Sequence, residues 1–512
     1  MQPDAGDDPR RKENRKMAKY LVALDQGTTS SRAIVFSADG KIIASHAVEF
    51  PQHYPHPGWV EHDPEDILES QIAALQEAVH LSGVDAGEIA AIGITNQRET
   101  TLLWDRQTGK CVGNAIVWQC RRTAKIVEQL MADGYGDMIR KKTGLIPDAY
   151  FSGTKLKWML DYYNLHEKAA SGELCFGTVD SFLCWNLLTG RPHVTDATNA
   201  GRTMLFNLIS QDWDDELLGL LGIPRACLPE VVDSSGMIGM LDPAILGRPI
   251  PVTGMAGDQH ASLFGQACWQ VGDIKNTYGT GCFMLMNTGD QPVRSENGLL
   301  TTMAWRIGGK PTYALEGSVF MGGATIQWLR DEMKMLTRAS ESERLAESVT
   351  STGGVYLVPA MTGLGAPWWD MYSRGTLVGM TRGTGRAHIV RAALEAIAYQ
   401  SEDLMKAMIR DSGRQPEHLQ VDGGASANAF LMQFQADISN IKVIRPRVLE
   451  TTALGAALLA GLGCGLYSGT EEIAHLWEKD LEFTPRMDEA TRRMNLKGWH
   501  KAVNRALDWA EH

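Results

Sequence analysis

Leu21-Val-Ala-Leu-Asp25-Gln-Gly27-Thr28-Thr29-Ser30-Ser31-Arg32 runs on into Ala33-Ile-Val-Phe36. Further along the chain Lys275-Asn-Thr-Tyr-Gly279-Thr280-Gly281-Cys-Phe283-Met-Leu-Met286 repeats the plan. Each stretch reads as strand, tight turn and strand, with Gly-Thr at the tip. Glycine lets a backbone approach a phosphate closely and accepts positive φ. Successive amides in such a turn form an anion-binding concavity, and threonine and serine hydroxyls add donors. Neither turn matches Gly-x-x-x-x-Gly-Lys-Ser/Thr, so this is not a Walker phosphate loop. One such turn alone reads as an ordinary hairpin. Two of them, with Asp25 closing the first strand, point to a duplicated fold that grips a phosphate chain from two sides. A third glycine turn, Val421-Asp422-Gly423-Gly424-Ala425-Ser426-Ala427-Asn428, opens a helical run over 429–438 and favours a nucleotide as the ligand.

A chain of 512 residues exceeds one ordinary core and suggests roughly two to four domains. Hydrophobic content of 44% and charged content of 21% are those of a globular soluble protein. A net charge of −12 without a basic stripe argues against nucleic-acid partners and acidic membrane surfaces. An anionic ligand must then be held locally, by fixed amides, a few arginines and a divalent cation. Eight cysteines without a Cys-x-x-Cys pair read as reduced thiols in or near cores, which predicts a cytoplasmic protein without structural zinc. Residues 1–16 are polar and mixed in charge, unlike a secretory or transit signal. Residues 1–18 are therefore read as a disordered tail, with Met17 as an alternative start. The uncharged stretch 451–470 has the length of a membrane span, but Gly455, Gly461, Gly463, Gly465 and Gly469 make it a buried helix packed closely on a neighbour.

Strand and helix patterns alternate along the chain. Asp63-Pro64-Glu-Asp66 starts a helix, with Asp63 as N-cap and Pro64 at the first helical position. A long helical pattern over 387–411 stops at Gly413. This predicts α/β domains with largely parallel sheets and a domain boundary within 260–274. Asp258 follows the strand pattern of Pro249-Ile-Pro-Val-Thr253 and precedes a helical run over 260–264. It is equally a helix N-cap and a ligand residue at a strand C-terminus; a helix N-terminus favours the carboxylate form that a general base needs. His260 reads as structural. Asn96-Gln97-Arg98-Glu99-Thr100 leaves a buried strand beside Trp118. Its guanidinium and carboxylate suit the hydroxyls of a small polar ligand.

These blocks, together with Tyr150-Phe-Ser-Gly-Thr-Lys155 and Asn276-Thr-Tyr-Gly-Thr-Gly-Cys-Phe-Met-Leu-Met-Asn287, resemble the FGGY family of carbohydrate kinases, in particular its glycerol kinases, over about 19–509. The resemblance implies two α/β domains of the actin-like, hexokinase-like (ribonuclease H-like) ATPase fold flanking a central catalytic cleft. Residues 19–265 would bind glycerol and phosphate, and 266–512 the nucleotide. It implies ATP-dependent phosphorylation of glycerol to sn-glycerol 3-phosphate, with ATP and Mg2+ as cofactors and a homodimer or homotetramer as the assembly. Arg98, Glu99, Tyr150, Asp258 and Gln259 would bind the glycerol hydroxyls, with Trp118 and Phe283 on its carbon chain. Thr28, Thr29, Ser30, Arg32 and Thr280 would face the phosphates. Gly323, Gln327, Gly424 and Asn428 would hold the nucleotide. Asp25 and Asp258 would position magnesium, and Asp258 would act as general base. One departure is His260, where the family pattern has a second glutamine. Another is Leu241-Asp-Pro-Ala-Ile-Leu-Gly-Arg248, where some bacterial relatives carry a glycine-rich loop that binds fructose 1,6-bisphosphate. The competing readings are a kinase of the same family for another polyol or sugar, such as xylulose or gluconate, and an actin-like ATP-binding protein without a small substrate.

Overall fold

The computed structural model describes residues 19–511, so the tail read over 1–18 lies outside the described residues. The chain forms two compact units. The first holds 19–267, Thr302–Tyr313 and Thr451–Trp477; the second holds Cys268–Thr301, Ala314–Glu450 and 478–511. Two stretches from late in the sequence thus belong to the first unit.

In the first unit, β1 (Tyr20–Gln26) and β2 (Ser30–Ser37) form the first hairpin, and β3 (Ile42–Glu49) pairs with β2. On its other edge β1 runs parallel to β4 (Ile89–Asn96), and β4 runs parallel to β6 (Pro251–Gly257), which pairs antiparallel with β5 (Ser235–Met240). The order is β3-β2-β1-β4-β6-β5. The apolar runs of β1 and β4 are buried, as central strands of such sheets require. The helix Pro64–Ser82 packs on β2 and β3. Its start follows the sequence pattern: Asp63 Oδ1 accepts from the Glu65 N–H at 2.9 Å, Pro64 takes the first position, and Gly83 ends the helix at φ 65°.

The glycine-rich stretch folds as the helix Thr451–Gly463 and lies on β1, β4 and β6. Its glycines let backbone meet backbone. A Cβ at Gly93 would overlap the carbonyl of Ala456, and one at Gly455 the carbonyl of Ala261. Ser235 Oγ donates to the Leu459 carbonyl at 2.8 Å and Thr253 Oγ1 to that of Ala460 at 2.7 Å. Among the described residues no helix is long and apolar enough to cross a membrane. Gly455→Ala is expected to lower stability by about 1–3 kcal/mol, the range for an overpacked core. The check is the urea midpoint at unchanged m-value; an unshifted midpoint would contradict this contact.

The second unit repeats the plan. β7 (Ile274–Tyr278) and β8 (Cys282–Gly289) form the second hairpin, and β7 runs parallel to β10 (His418–Asp422). β9 (Lys310–Val319) borders β8, and β11 (Lys442–Pro446) and β12 (Lys479–Phe483) extend the sheet beyond β10. Asp25 stands opposite Thr95 in the first unit, and Thr277 opposite Asp422 in the second. The helix Arg386–Ser412 ends at Gly413 with φ 65° and packs on the helix Ala429–Ser439. All eight cysteines are free thiols, six of them buried, and they fill space in the cores.

Candidate active site

Strands β1, β4 and β6 are neighbours and parallel, so Asp25, the loop after Asn96 and Asp258 emerge along one sheet edge. That carboxyl edge is where α/β folds bind ligands. Asp258 is the first residue of the helix Asp258–Gly265, and the N-cap position falls to Gly257 instead. Asp258 Oδ1 accepts from the Gln259 N–H at 2.7 Å and lies 3.0 Å from Arg98 Nε, while Gln259 Nε2 donates to Oδ2 at 3.2 Å. The carboxylate is one-third exposed, whereas Arg98 is buried. Gly257 makes that approach possible, because a Cβ there would sit 2.7 Å from both Cγ and Cδ of Arg98.

Arg98 and Glu99 are not a solvated surface pair; both are buried. The Thr100 N–H donates to the Arg98 carbonyl at 2.7 Å across Glu99, whose φ is 60°. This is a positive-φ γ-turn, strained for a residue with a side chain. Glu99 Oε1 accepts from Arg202 Nε at 2.5 Å, and Arg98 Nε lies 3.9 Å from the same oxygen. The Arg202 guanidinium sits 5.4 Å from the ring centre of Tyr150 and 5.1 Å from that of Phe151. Tyr150 meets Trp118 edge to face at 5.6 Å, and the Trp118 indole N–H donates to Thr28 Oγ1 at 2.9 Å. Trp118 therefore joins Tyr150 to the first hairpin turn.

Several supporting residues escaped the sequence reading. Gln97 Nε2 donates to Gln26 Oε1 at 3.0 Å and to the Gly27 carbonyl at 3.1 Å, tying the Arg98 loop to the first turn. His62 lies 3.4 Å from the same amide, and burial lowers its imidazole to about 4, so it is neutral near pH 7. Asn96 and Asn199 exchange side-chain hydrogen bonds at 3.0 and 3.1 Å, and the Gly257 N–H donates to Thr198 Oγ1 at 2.9 Å. Asp196 caps this turn, accepting from the Thr198 and Asn199 N–H groups at 3.0 Å each. Asp-x-Thr-Asn is a recognisable cap signal, but nothing local in it reveals partners far along the chain. Lys155 is fully buried; it donates to the carbonyls of Tyr150 and Phe151, and burial pushes its amine down to about 7. His260 is buried with Nε2 3.2 Å from Thr302 Oγ1, a structural setting.

At the first turn the Gly27 N–H donates to the Ser30 carbonyl at 2.9 Å, Thr29 is exposed, and Thr28 and Ser30 are half-buried. Arg32 Nε is 3.9 Å from Asp25 Oδ2. The glycines of the two hairpin turns do not use positive φ: Gly27, Gly279 and Gly281 all lie outside that region. At Gly281 the glycine supplies space, since a Cβ there would overlap the Val319 carbonyl. Gly423 does need φ 83°, and a Cβ there would lie 2.7 Å from the Tyr278 carbonyl.

In the second unit the Gly323 N–H donates to the Gly279 carbonyl at 2.8 Å, and the Gly322 and Ala324 N–H groups to that of Thr280 at 2.9 and 3.1 Å. The second turn is thereby fixed to the start of the helix Gly323–Asp331, which carries Gln327 on its exposed side. Gly424 faces open space. Asn428 caps the helix Ala429–Ser439 through Oδ1, which accepts from the Leu431 N–H at 2.9 Å, and its Nδ2 donates to Ser342 Oγ at 3.3 Å. Phe283 is half-buried near the start of β8. Thr280, Gly323 and the Gly423-Gly424 turn are thus neighbours.

Asp25 and Asp258 stand at the ends of strands separated by β4, about 10 Å apart at two ladder spacings. Among the described residues no group of three or more His, Cys, Asp or Glu converges as a metal cage. Mg2+ keeps several waters and leans on substrate phosphates through one or two carboxylates. The donors present fit that mode of binding.

The chain matches the N-terminal domain of the FGGY family of carbohydrate kinases over 20–265 and the C-terminal domain of that family over 274–464. It belongs to this family and has its two-domain α/β fold; it is a kinase. A glycerol kinase of Symbiobacterium thermophilum is 59% identical over 96% of this chain and 99% of its own. Glycerol kinase 2 of Thermotoga maritima is 58% identical, again over 96% and 99%. The crystal structure of Plasmodium falciparum glycerol kinase with ADP superposes with a TM-score of 0.89 at 35% identity, covering 95% of this chain and 98% of that one. A gluconate kinase of Lactobacillus acidophilus, 23% identical with a TM-score of 0.86, shares the fold.

Proposed function

We propose that this protein transfers the γ-phosphoryl group of ATP to glycerol, giving sn-glycerol 3-phosphate, in the cytoplasm. The observation that carries this reading is the buried Arg98–Glu99 pair, which meets Asp258 at the sheet edge where the first phosphate turn ends. A buried charged cluster of donors and acceptors suits a small polyol, and the named relatives are glycerol kinases. Arg98, Glu99, Tyr150, Asp258 and Gln259 bind the hydroxyls, and Trp118 and Phe283 line the carbon chain. Asp258 accepts the proton as the hydroxyl oxygen attacks phosphorus. Arg98 fixes one oxygen of that carboxylate, so the base is oriented before substrate arrives.

Thr28, Thr29, Ser30, Arg32 and Thr280 face the phosphates. Gly323, Gln327, Gly424 and Asn428 hold the nucleotide, Asn428 through its Nδ2, because its Oδ1 serves the helix cap. Asp25 and Asp258 would position magnesium, which would supply neutralisation of the phosphate charge. Neither phosphate turn contains a lysine, so backbone amides and Arg32 carry the rest. The test is ADP release by the purified protein with and without glycerol. A rate indifferent to glycerol would sink this reading.

The segment expected to differ from a bisphosphate-binding loop folds as a short helix, Pro243–Leu246. Asp242 Oδ1 accepts from the Ala244 N–H at 2.9 Å, and Gly247 closes the helix at φ 78°. No open glycine loop remains there, and the exposed Arg248 lies 3.9 Å from Asp85. Fructose 1,6-bisphosphate is therefore expected not to inhibit. Saturable inhibition at low-millimolar concentration, abolished by Arg248→Ala, would show the opposite.

A further inference from the structure

We propose that Arg202 is a positioning residue of the polyol site, setting the carboxylate of Glu99 and the ring of Tyr150 for the substrate's hydroxyls. The inference rests on the glycerol reading above. Arg202 is wholly buried just after the one-turn helix Ala197–Ala200. Its Nε donates to Glu99 Oε1 at 2.5 Å, closer than the 3.9 Å of Arg98 Nε, and Arg98 is drawn to Asp258 at 3.0 Å. The two arginines thus divide the two carboxylates between them. Lys155, also buried, spends its amine on the carbonyls of Tyr150 and Phe151.

The rest of Arg202 argues the same way. Its guanidinium lies over the rings of Tyr150 and Phe151 at 5.4 and 5.1 Å, a contact that the compact ammonium of a lysine does not reproduce. The next residue, Thr203, accepts from the Gly153 N–H at 2.7 Å and so anchors the segment that carries Tyr150. Taking a guanidinium and a carboxylate out of water costs free energy that their attraction barely returns, so the pair is poorly explained as a staple for the fold. What it achieves is geometric. Glu99 sits in a positive-φ turn, and removing Arg202 takes away the 2.5 Å hydrogen bond on Oε1, the oxygen that also lies 3.9 Å from Arg98 Nε, which shifts the balance by which Arg98 is drawn to Asp258.

The experiment uses the full chain as wild type, Arg202→Met, Arg202→Lys, Glu99→Gln and the Glu99→Gln/Arg202→Met double variant. It reads kcat and KM for glycerol, KM for ATP, and kcat/KM for 1,2- and 1,3-propanediol. Arg202→Met is expected to lower kcat/KM for glycerol about 100-fold, mostly through KM, and to narrow the glycerol-to-diol ratio about 10-fold or more. The KM for ATP stays within about threefold, which general damage to the fold would not spare. Arg202→Lys recovers about tenfold of the loss, and in the Glu99→Gln background Arg202→Met costs less than about threefold, because coupled residues do not add. An unchanged glycerol-to-diol ratio, or losses that multiply in the double variant, would overturn the assignment. If Arg202→Met does not fold, Arg202→Lys decides: wild-type kcat/KM and wild-type discrimination in that variant refute the role. If the wild type turns over another polyol and not glycerol, the glycerol reading fails, and the same variants assayed on that polyol still decide the role of Arg202.

Discussion

Asp258→Asn is expected to lower kcat by about 10²–10⁴ while the protein stays folded, the usual loss when a general base is removed. Asparagine has nearly the shape of aspartate and keeps an oxygen for the Gln259 N–H, but it takes no proton. The substitution also withdraws a negative charge 3.0 Å from Arg98, which is buried. Glu99 Oε1, 3.9 Å from Arg98 Nε, remains as a counter-charge, so the arginine is re-aimed rather than abandoned. Two consequences separate the contributions. Loss of the base, and with it of a carboxylate proposed to position magnesium, acts on kcat at saturating glycerol, whereas a re-aimed Arg98 raises KM for glycerol. KM for ATP should stay near wild type if the nucleotide is held, as proposed, chiefly by the turns at Thr28 and Thr280 and by Gly323, Gln327, Gly424 and Asn428. The measurement is steady-state kinetics on both substrates, with a urea midpoint to certify the fold. Wild-type turnover in folded Asp258→Asn would remove this residue from the mechanism.

What was legible in the sequence is what local pattern controls. The two hairpins, the Asp63 cap with Pro64, the stop at Gly413 and the helix opened by Asn428 all follow from residues within a few positions of each other. The run 451–470 was legible as buried because its five glycines favour close packing over a membrane span, but the helix stops at Gly463, so Gly465 and Gly469 lie beyond it. That it packs in the first unit, against Gly93 and Ala261, depends on contacts that cross most of the chain. The same limit hides the support of the site. Arg202 reaches Glu99, and Asn199 reaches Asn96, each across 103 positions. Trp118 reaches Thr28 across 90. Arg98-Glu99 leaves a buried strand in the sequence pattern, but the burial of the pair itself depends on contacts from far along the chain. The glycines of the two hairpin turns were placed correctly but for an incomplete reason: Gly27, Gly279 and Gly281 do not use positive φ, and at Gly281 the structure shows room for a neighbouring carbonyl instead.

A propanediol lacking one hydroxyl is expected to fall far behind glycerol in kcat/KM, by up to about 10⁴–10⁵, because a site built to bond a hydroxyl rejects the analogue without it. The reason lies in the groups left behind. Arg98 and Glu99 are buried, so a missing hydroxyl removes one hydrogen bond from a charged group where water replaces it poorly, even though each keeps its protein partner. Asp258 is one-third exposed, and at that end water can substitute, which shrinks the penalty. The two diols therefore separate the ends of the site. The diol whose missing hydroxyl belongs to the buried Arg98–Glu99 end should suffer the larger loss, and the one whose gap lies toward Asp258 the smaller. The check is kcat/KM for glycerol, 1,2-propanediol and 1,3-propanediol at one fixed ATP concentration. Values for all three within about tenfold of each other would mean that no buried polar group reads a hydroxyl. The assignment of Arg98 and Glu99 to the substrate would then fall.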